Sequence, residues 1–543
     1  MPTPTRSLLL AIALVGCSGE IGSPSNTPPG VGPGGPDTSR PIVEIRTCAP
    51  DEFTAGTNPA RRLTNEQYRR SLAVVFPGLE LPSLGLVEPI PDHTYVNDVA
   101  NASITELVVE SYQLAARNVA QAAVASPGWM PCGLTTAECA VEVAIQSAER
   151  AFRRPLVDEE LTRFESFITT QAAEADPTEA VTMFLEALLQ MPDYLYLPEI
   201  GDPRGDAPRG MVALHGYELA ARLSYFLWNE PPDAELIAAA ESGDLGTESG
   251  YEAQLERLLA SDQTKQVVDD FFSQWLQQEQ LELARASEFP ELDDDELRAE
   301  LQASYRAYVR HAFWEEGDID YLFSSRDAFV NDRLAPYFGV DAPGSDTLVP
   351  VELPEAERSG ILTQPSVLAS TSHGAAHSPI FRGVLVLRRV LCAPLSFPDE
   401  ALEPPEVDSE PRTTRERLEE QHTSGTCGVC HDAIDGIGFA FERYDAVGRY
   451  RETEYGQPVD SSGSVSGLDF TDAIGLVDAL EGDLRVEQCL STHFFRYALS
   501  RNTEIDDQCH IAEVASALAE DGDLRGALRA VASSDAFRFA PAE

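Results

Sequence analysis

Lysine is almost missing from this chain of 543 residues: Lys265 is the only one, and the 39 basic residues, otherwise all arginine, face 90 acidic ones. The formal charge of −51 argues against nucleic acid or anionic lipid as a partner, since both are held by positive surface. Long apolar runs are also missing. No segment has the roughly 20 consecutive apolar residues that a membrane-spanning helix needs. Methionine is scarce and one-sided, because the last of the five is Met211, so the C-terminal half has no thioether to offer a metal. Neither a G-x-S-x-G elbow nor a P-loop occurs, so serine-hydrolase and nucleotide-hydrolysing chemistry lack their usual signatures. What remains is a chain with 43% hydrophobic and 24% charged residues, long enough for roughly three to four domain-sized units.

The N-terminus reads as an address. In "MPTPTRSLLLAIALVGC" a single arginine, Arg6, precedes the apolar run Leu8 to Val15 and then Gly16 and Cys17, the layout of a secretory signal rather than a membrane span. Leu14-Val15-Gly16-Cys17 resembles the lipobox of bacterial lipoproteins, which implies cleavage after residue 16 and acylation of Cys17. Residues 17–45 are rich in Gly, Pro and Ser and read as a flexible tether. Gly30, Gly32 and Gly35 match G-x-G-x-x-G there, but with no strand before and no helix after, the match carries no nucleotide-binding meaning. The expected location is the bacterial cell envelope, as an outer-membrane lipoprotein facing the periplasm or the cell surface, held by lipid alone.

Export makes disulfides expected. Besides Cys17, eight cysteines remain: Cys48, Cys132, Cys139, Cys392, Cys427, Cys430, Cys489 and Cys509. Cys132 with Cys139, and Cys489 with Cys509, are close enough in sequence to close short loops worth about 2–3 kcal/mol each. Cys48 and Cys392 are then left to pair with each other, although sequence alone does not fix connectivity.

Cys427 and Cys430 belong to "TSGTCGVCHDAIDGIGFAFERYDAVGRYR", whose C-x-x-C-H has a physical reason for its spacing. Two thiols three residues apart can form thioethers to the two haem vinyl groups, and the following His431 is then placed to reach the iron. A zinc site would want a second closely spaced pair of ligands, and a thioredoxin-like pair a βαβ setting. The alternative left standing is a disulfide between Cys427 and Cys430 without haem.

The flanks of the motif are similar to the haem-bearing segment of the planctomycete-type cytochrome c-like proteins, multidomain chains also found in myxobacteria. "RRLTNEQYRRSLAVVFPG" resembles its domain of unknown function 1587, "AFRRPLVDEELTRFESFI" 1595, and "LHGYELAARLSYFLWNEPPDAELIAAAESGDL" 1592. The stretch from "RSGILTQPSVLASTSHGAAHSPIFRGVLVLRRVLC" through Arg451 resembles 1588, and "FFRYALSRNTEIDDQC" resembles 1585. The resemblance implies one covalent haem c per chain, held by Cys427 and Cys430 with His431 as proximal iron ligand. Two departures stand out: Gly436 where proline is usual, and Ser500 where glycine is usual.

Helical periodicity dominates. Thr64 and Gln67 form a capping box, Leu63 and Tyr68 a hydrophobic staple, and Tyr68, Leu72, Val75 and Phe76 an apolar stripe. Leu219, Leu223, Phe226 and Leu227 form another, ended by Pro231 and Pro232, after which Asp233 can cap the next helix. Only residues 449–470 look strand-like. The expected fold is mostly α, with a helical domain bearing the motif and one small β element. The expected divisions are a signal peptide 1–16, tether 17–45, and helical domains 46–145, 146–205, 206–345, 346–456 (the motif) and 457–543. The carboxylates of "ELDDDELRAEL" read as a solvated helix face, and His373 and His377, four apart in a Gly- and Pro-containing loop, lack the H-E-x-x-H glutamate.

A downstream methionine ligand is excluded, so the iron's other side is expected to be histidine, open, or served from a distant domain. His373 is the candidate distal ligand. His422 lies too near the motif to reach the opposite haem face, and His493 and His510 read as structural. Two functional classes follow: a c-type haem protein in electron transfer or an oxidoreductase reaction, or a lipid-anchored binding or scaffold protein without haem. Neither a redox partner nor a substrate is legible.

Overall fold

The computed structural model describes residues 47–49, 52–89, 95–203, 205–284, 286–372, 377–395, 412–422, 428–465 and 467–542. Cys17, His373 and Cys427 lie outside them, as do the leader and the whole tether. The described chain is mostly helical, and its strands pair only in twos. None of its helices is long and apolar enough to cross a membrane.

The first helix, Asn65–Val75, begins at the capping box: Thr64 Oγ1 accepts from the Gln67 amide at 3.1 Å, and Gln67 Oε1 from the Thr64 amide at 3.0 Å. Its stripe of Tyr68, Leu72 and Val75 is buried against the helices Glu106–Ala125, Ala137–Phe152 and Pro177–Leu188 in one continuous core. A larger core runs from helix Gly216–Leu227 through the C-terminal helices, gathering Phe226, Phe271, Trp275, Phe494 and Phe537. Asp233 caps helix Ala234–Ser242 by accepting from the Leu236 amide at 2.9 Å. A third, smaller core holds Leu297, Leu301, Val330 and Phe338 under Val447. The acidic run 291–301 is a surface feature, with Arg333 bridging Asp294, Glu296 and Glu300.

The β element is larger than periodicity suggests. Residues 449–470 do contain two hairpins, Thr453–Glu454 with Gln457–Pro458 and Gly463–Val465 with Leu468–Phe470. Three further antiparallel pairs join distant parts of the chain: Arg61–Arg62 with Tyr196–Leu197, Met211–Ala213 with Phe539–Pro541, and Asp327–Val330 with Val349–Glu352. Strands of two to four residues carry no readable alternation, so only contact reveals them.

The disulfides require a correction. Cys132 pairs with Cys139 as expected, but Cys489 does not pair with Cys509, nor Cys48 with Cys392; the bonds are Cys48–Cys509 and Cys392–Cys489. Short-loop closure presumes a pliant connection. Here helix Leu484–Leu499 carries Cys489 in its middle, and Cys509 opens the next helix, Gln508–Asp521, beyond its far end, roughly 15 Å of helical rise away. Cys509 instead meets the chain around residue 48, which runs along the C-terminal unit, with Thr57 Oγ1 donating to Glu504 at 2.5 Å and Arg61 Nη1 to Ser500 Oγ at 3.0 Å. That contact also accounts for Ser500. It sits in the left-handed region, φ 55°, where glycine is favoured, and its hydroxyl accepts from both Arg61 and Asn97.

Candidate functional site

From Gly428 onward the motif lies on helix Gly428–Gly438, which is clamped between two neighbours through glycine. A Cβ on Gly383 of helix Pro379–Leu385 would stand 2.1 Å from the Ile434 carbonyl oxygen, and one on Gly438 2.2 Å from that of Pro379. On the other side, a Cβ on Gly436 would stand 2.6 Å from the Ser464 carbonyl oxygen, and one on Gly463 2.0 Å from that of Gly436. Backbones can approach this closely only without side chains. Gly436 and Gly463 together therefore admit the hairpin.

Behind the helix sits a buried polar scaffold. Arg382, 2% exposed, donates to the carbonyls of Phe441 and Tyr444 at 2.8 Å and of Asp445 at 2.7 Å. Burial lowers its pKa to about 10, leaving it a cation near neutral pH. His377 Nε2 lies 3.0 Å from Glu442 Oε1 and 3.0 Å from Arg451 Nη2. Burial alone would raise the Glu442 pKa, but His377, Arg451 and Arg382 outweigh it and hold it below the usual carboxylate value. Arg451 also meets Glu454, which accepts from the Thr414 amide at 2.7 Å and so pins the start of helix Thr414–His422.

That helix brings His422 to the motif. His422 and His431 stack with centroids 3.6 Å apart, and both present Nδ1 to one carboxylate: His422 to Asp435 Oδ2 at 2.5 Å and His431 to Asp435 Oδ1 at 3.2 Å. Nε2 of His431 has no hydrogen-bond partner among the described residues. An imidazole anchored through Nδ1 to a carboxylate is oriented and made more basic for a metal at Nε2. The donor set around His431 thus fits an iron ligand, and His422 stands beside it rather than across from it.

The helix, the hairpin and helix Thr414–His422 enclose a cleft of about 490 Å³, within the roughly 300–1,000 Å³ of small-molecule and cofactor sites. Phe439 and Phe470 form its apolar wall, while Glu419, Asp432, Asp435 and Asp469 make it acidic. Arg415 closes one side, 4.7 Å over the Phe439 ring and donating to the Ser462 carbonyl at 2.6 Å.

Of the other residues singled out from sequence, Cys430 shares the helix with His431, whereas Cys427 and His373 fall outside the described residues. His493 is buried against Tyr95, Nδ1 to the hydroxyl at 3.0 Å, and His510 Nε2 lies 3.1 Å from the Thr54 carbonyl. The described methionines are elsewhere: Met130 and Met191 pack on the N-terminal core, Met183 is exposed, and Met211 pairs with Pro541. Sequence reasoning missed the pairing of His422 with His431 through Asp435. The i,i+4 spacing of His431 and Asp435 was a usable signal; His422 arrives only through tertiary packing.

Residues 139–199 match the model of a protein of unknown function (DUF1595), 214–340 that of DUF1592, 358–454 that of DUF1588 and 466–537 that of DUF1585. No curated protein and no solved structure matches the chain.

Proposed function

Because the chain belongs to the planctomycete-type cytochrome c-like multidomain family, we propose that it is an exported, lipid-anchored c-type haem protein acting in electron transfer or in an oxidoreductase reaction. The observation that carries this reading is His431, on the helix that holds Cys430, with Nδ1 anchored by Asp435 and Nε2 without a partner among the described residues. Cys427 and Cys430 would hold the haem by thioethers and His431 would be the proximal ligand, with His373 the candidate on the distal side. Bound there, haem supplies one-electron chemistry at a potential set by its axial ligands and surroundings.

The protein's own contribution is positioning. Asp435 fixes the ring orientation of His431, and Arg382 holds the chain that follows the motif helix through three carbonyls. Phe439 and Phe470 give the cleft one apolar wall.

The test is production in cells equipped for haem attachment. Covalent haem that survives denaturing electrophoresis, and is lost in C427A/C430A but kept when Cys132 is replaced, supports the reading. A colourless parent protein overturns it in favour of a haem-free binding or scaffold protein with a Cys427–Cys430 disulfide. The anchor is tested separately by Cys17→Ser, which should lose the lipid and leave the membrane fraction or remain uncleaved; sedimentation with membranes like the parent refutes it.

A further inference from the structure

Asp435 serves two imidazoles, and it serves them unequally. Its side chain is buried, with the residue 7% exposed; Oδ2 meets Nδ1 of His422 at 2.5 Å, while Oδ1 meets Nδ1 of His431 at 3.2 Å. An ionised carboxylate only accepts, so both rings donate from Nδ1. The shorter contact is the stronger bond, because charge-assisted hydrogen bonds gain strength as they shorten and the longer one stands at the far end of the usual range. Groups bonded to a common centre polarise one another. Charge that Asp435 gives to His422 is charge withheld from His431.

The division is built into the fold. His431 and Asp435 are one turn apart on helix Gly428–Gly438, a spacing that places them together whatever else is near. His422 comes from a different element, helix Thr414–His422, and that helix is held in place from outside the motif. Glu454 accepts from the Thr414 amide at 2.7 Å and from its hydroxyl at 2.8 Å, and Arg415 donates to the Ser462 carbonyl at 2.6 Å. The two rings stack with centroids 3.6 Å apart and an interplanar angle of 29°. His422 therefore covers one face of His431 as well as taking its carboxylate.

The basicity of a ligating imidazole rises with the strength of the hydrogen bond that holds its other nitrogen. A more basic ligand favours oxidised iron, and the hydrogen bonds around an axial ligand are among the protein's means of setting a potential. We propose that His422 is a positioning residue that takes the larger share of the Asp435 carboxylate, and so keeps the potential of iron at His431 Nε2 above the value that an undivided His431–Asp435 pair would give. The inference rests on the reading of His431 as an iron ligand. It assigns His422 no bond to the iron.

The experiment is a redox titration of the full-length holoprotein at one pH, followed in the visible spectrum, with covalent haem checked by denaturing electrophoresis and folding by far-ultraviolet circular dichroism. His422→Phe keeps a flat ring but has no donor, and it should change the oxidised-to-reduced ratio at a fixed potential about tenfold toward oxidised, a fall of about 59 mV for a one-electron couple. His422→Leu, equally without a donor, decides the matter if H422F does not fold. His422→Asn places an N–H donor where Nδ1 stands and should stay near the parent. Asp435→Asn should raise the potential, and H422F added to it should produce no further fall, since the two act through one carboxylate. An unchanged or raised potential in folded H422F or H422L, an H422N shift as large as theirs, or the full H422F shift persisting on D435N would each overturn the proposal while His431 remains the ligand. A parent without covalent haem would instead overturn the reading of His431, and this inference with it.

Discussion

Glu442 is the residue whose replacement tests the scaffold behind the motif most directly. Its side chain is 1% exposed and faces an equally buried His377 at 3.0 Å, with Arg451 at 3.9 Å. Removing one partner of a buried ion pair costs about 3–5 kcal/mol, because the other is left uncompensated. In Glu442→Gln, Arg451 keeps Glu454 at 3.3 Å and the Glu442 main-chain carbonyl at 3.0 Å, so the lower end, about 3 kcal/mol, is the figure expected. A cooperative unit of about 150–250 residues shifts about 2–4 °C per kcal/mol, so the melting midpoint should fall by about 6–12 °C near neutral pH. The pH dependence supplies the check. A carboxyl with a lower pKa folded than unfolded contributes stability above the unfolded value and loses it as pH falls through the folded one. The Glu442 pKa is lowered, so parent and variant should converge in acid below the usual carboxylate range. Calorimetry across pH decides it: a midpoint within about 2 °C of the parent near neutrality, or a deficit that fails to narrow in acid, refutes the reasoning.

Three further outcomes follow from the site and the bonds. Asp435→Asn removes the carboxylate shared by His422 and His431 and should weaken His431 as a ligand about 10–100-fold, read by competition with added imidazole in the visible spectrum; an unchanged titration refutes the anchoring role. Gly436→Ala places a methyl 2.6 Å from the Ser464 carbonyl oxygen and should cost about 1–3 kcal/mol by overpacking, measured by denaturant midpoint. Opening Cys48–Cys509, with a separation of 461, should destabilise by about 6 kcal/mol against about 2.5 for Cys132–Cys139, separation 7, by loop entropy; equal losses from the paired serine variants would contradict that account.

Local signals were readable in proportion to how local their causes are. The Thr64–Gln67 box and the Asp233 cap are satisfied within a single turn, and both are present. The Cys132–Cys139 bond closes within seven residues and was legible for the same reason. Cys48–Cys509 and Cys392–Cys489 were not, because which cysteines meet depends on how rigid helices pack, and sequence proximity misled at Cys489. The same holds at the site. The motif and its histidine are written in consecutive residues, but the second imidazole on Asp435, the glycine contacts that admit the hairpin, and the buried cations Arg358 and Arg382 are properties of assembled backbone. Arginine at those two positions reads as surface from composition, yet each bonds several main-chain carbonyls, a use that only the fold discloses.

Synthesis runs from the N-terminus, and the Cys48–Cys509 bond joins a cysteine near the beginning of the described chain to one near its end. For most of translation Cys48 has no native partner. The first thiols to follow it are Cys132 and Cys139, so an oxidant acting in order of emergence would join Cys48 to the wrong cysteine. Native pairing therefore demands either that Cys48 stay reduced until the last helices arrive or that a thiol–disulfide isomerase undo the early error, since uncatalysed reshuffling takes minutes to hours. A chain that stops short of residue 509 would leave the same thiol unmatched.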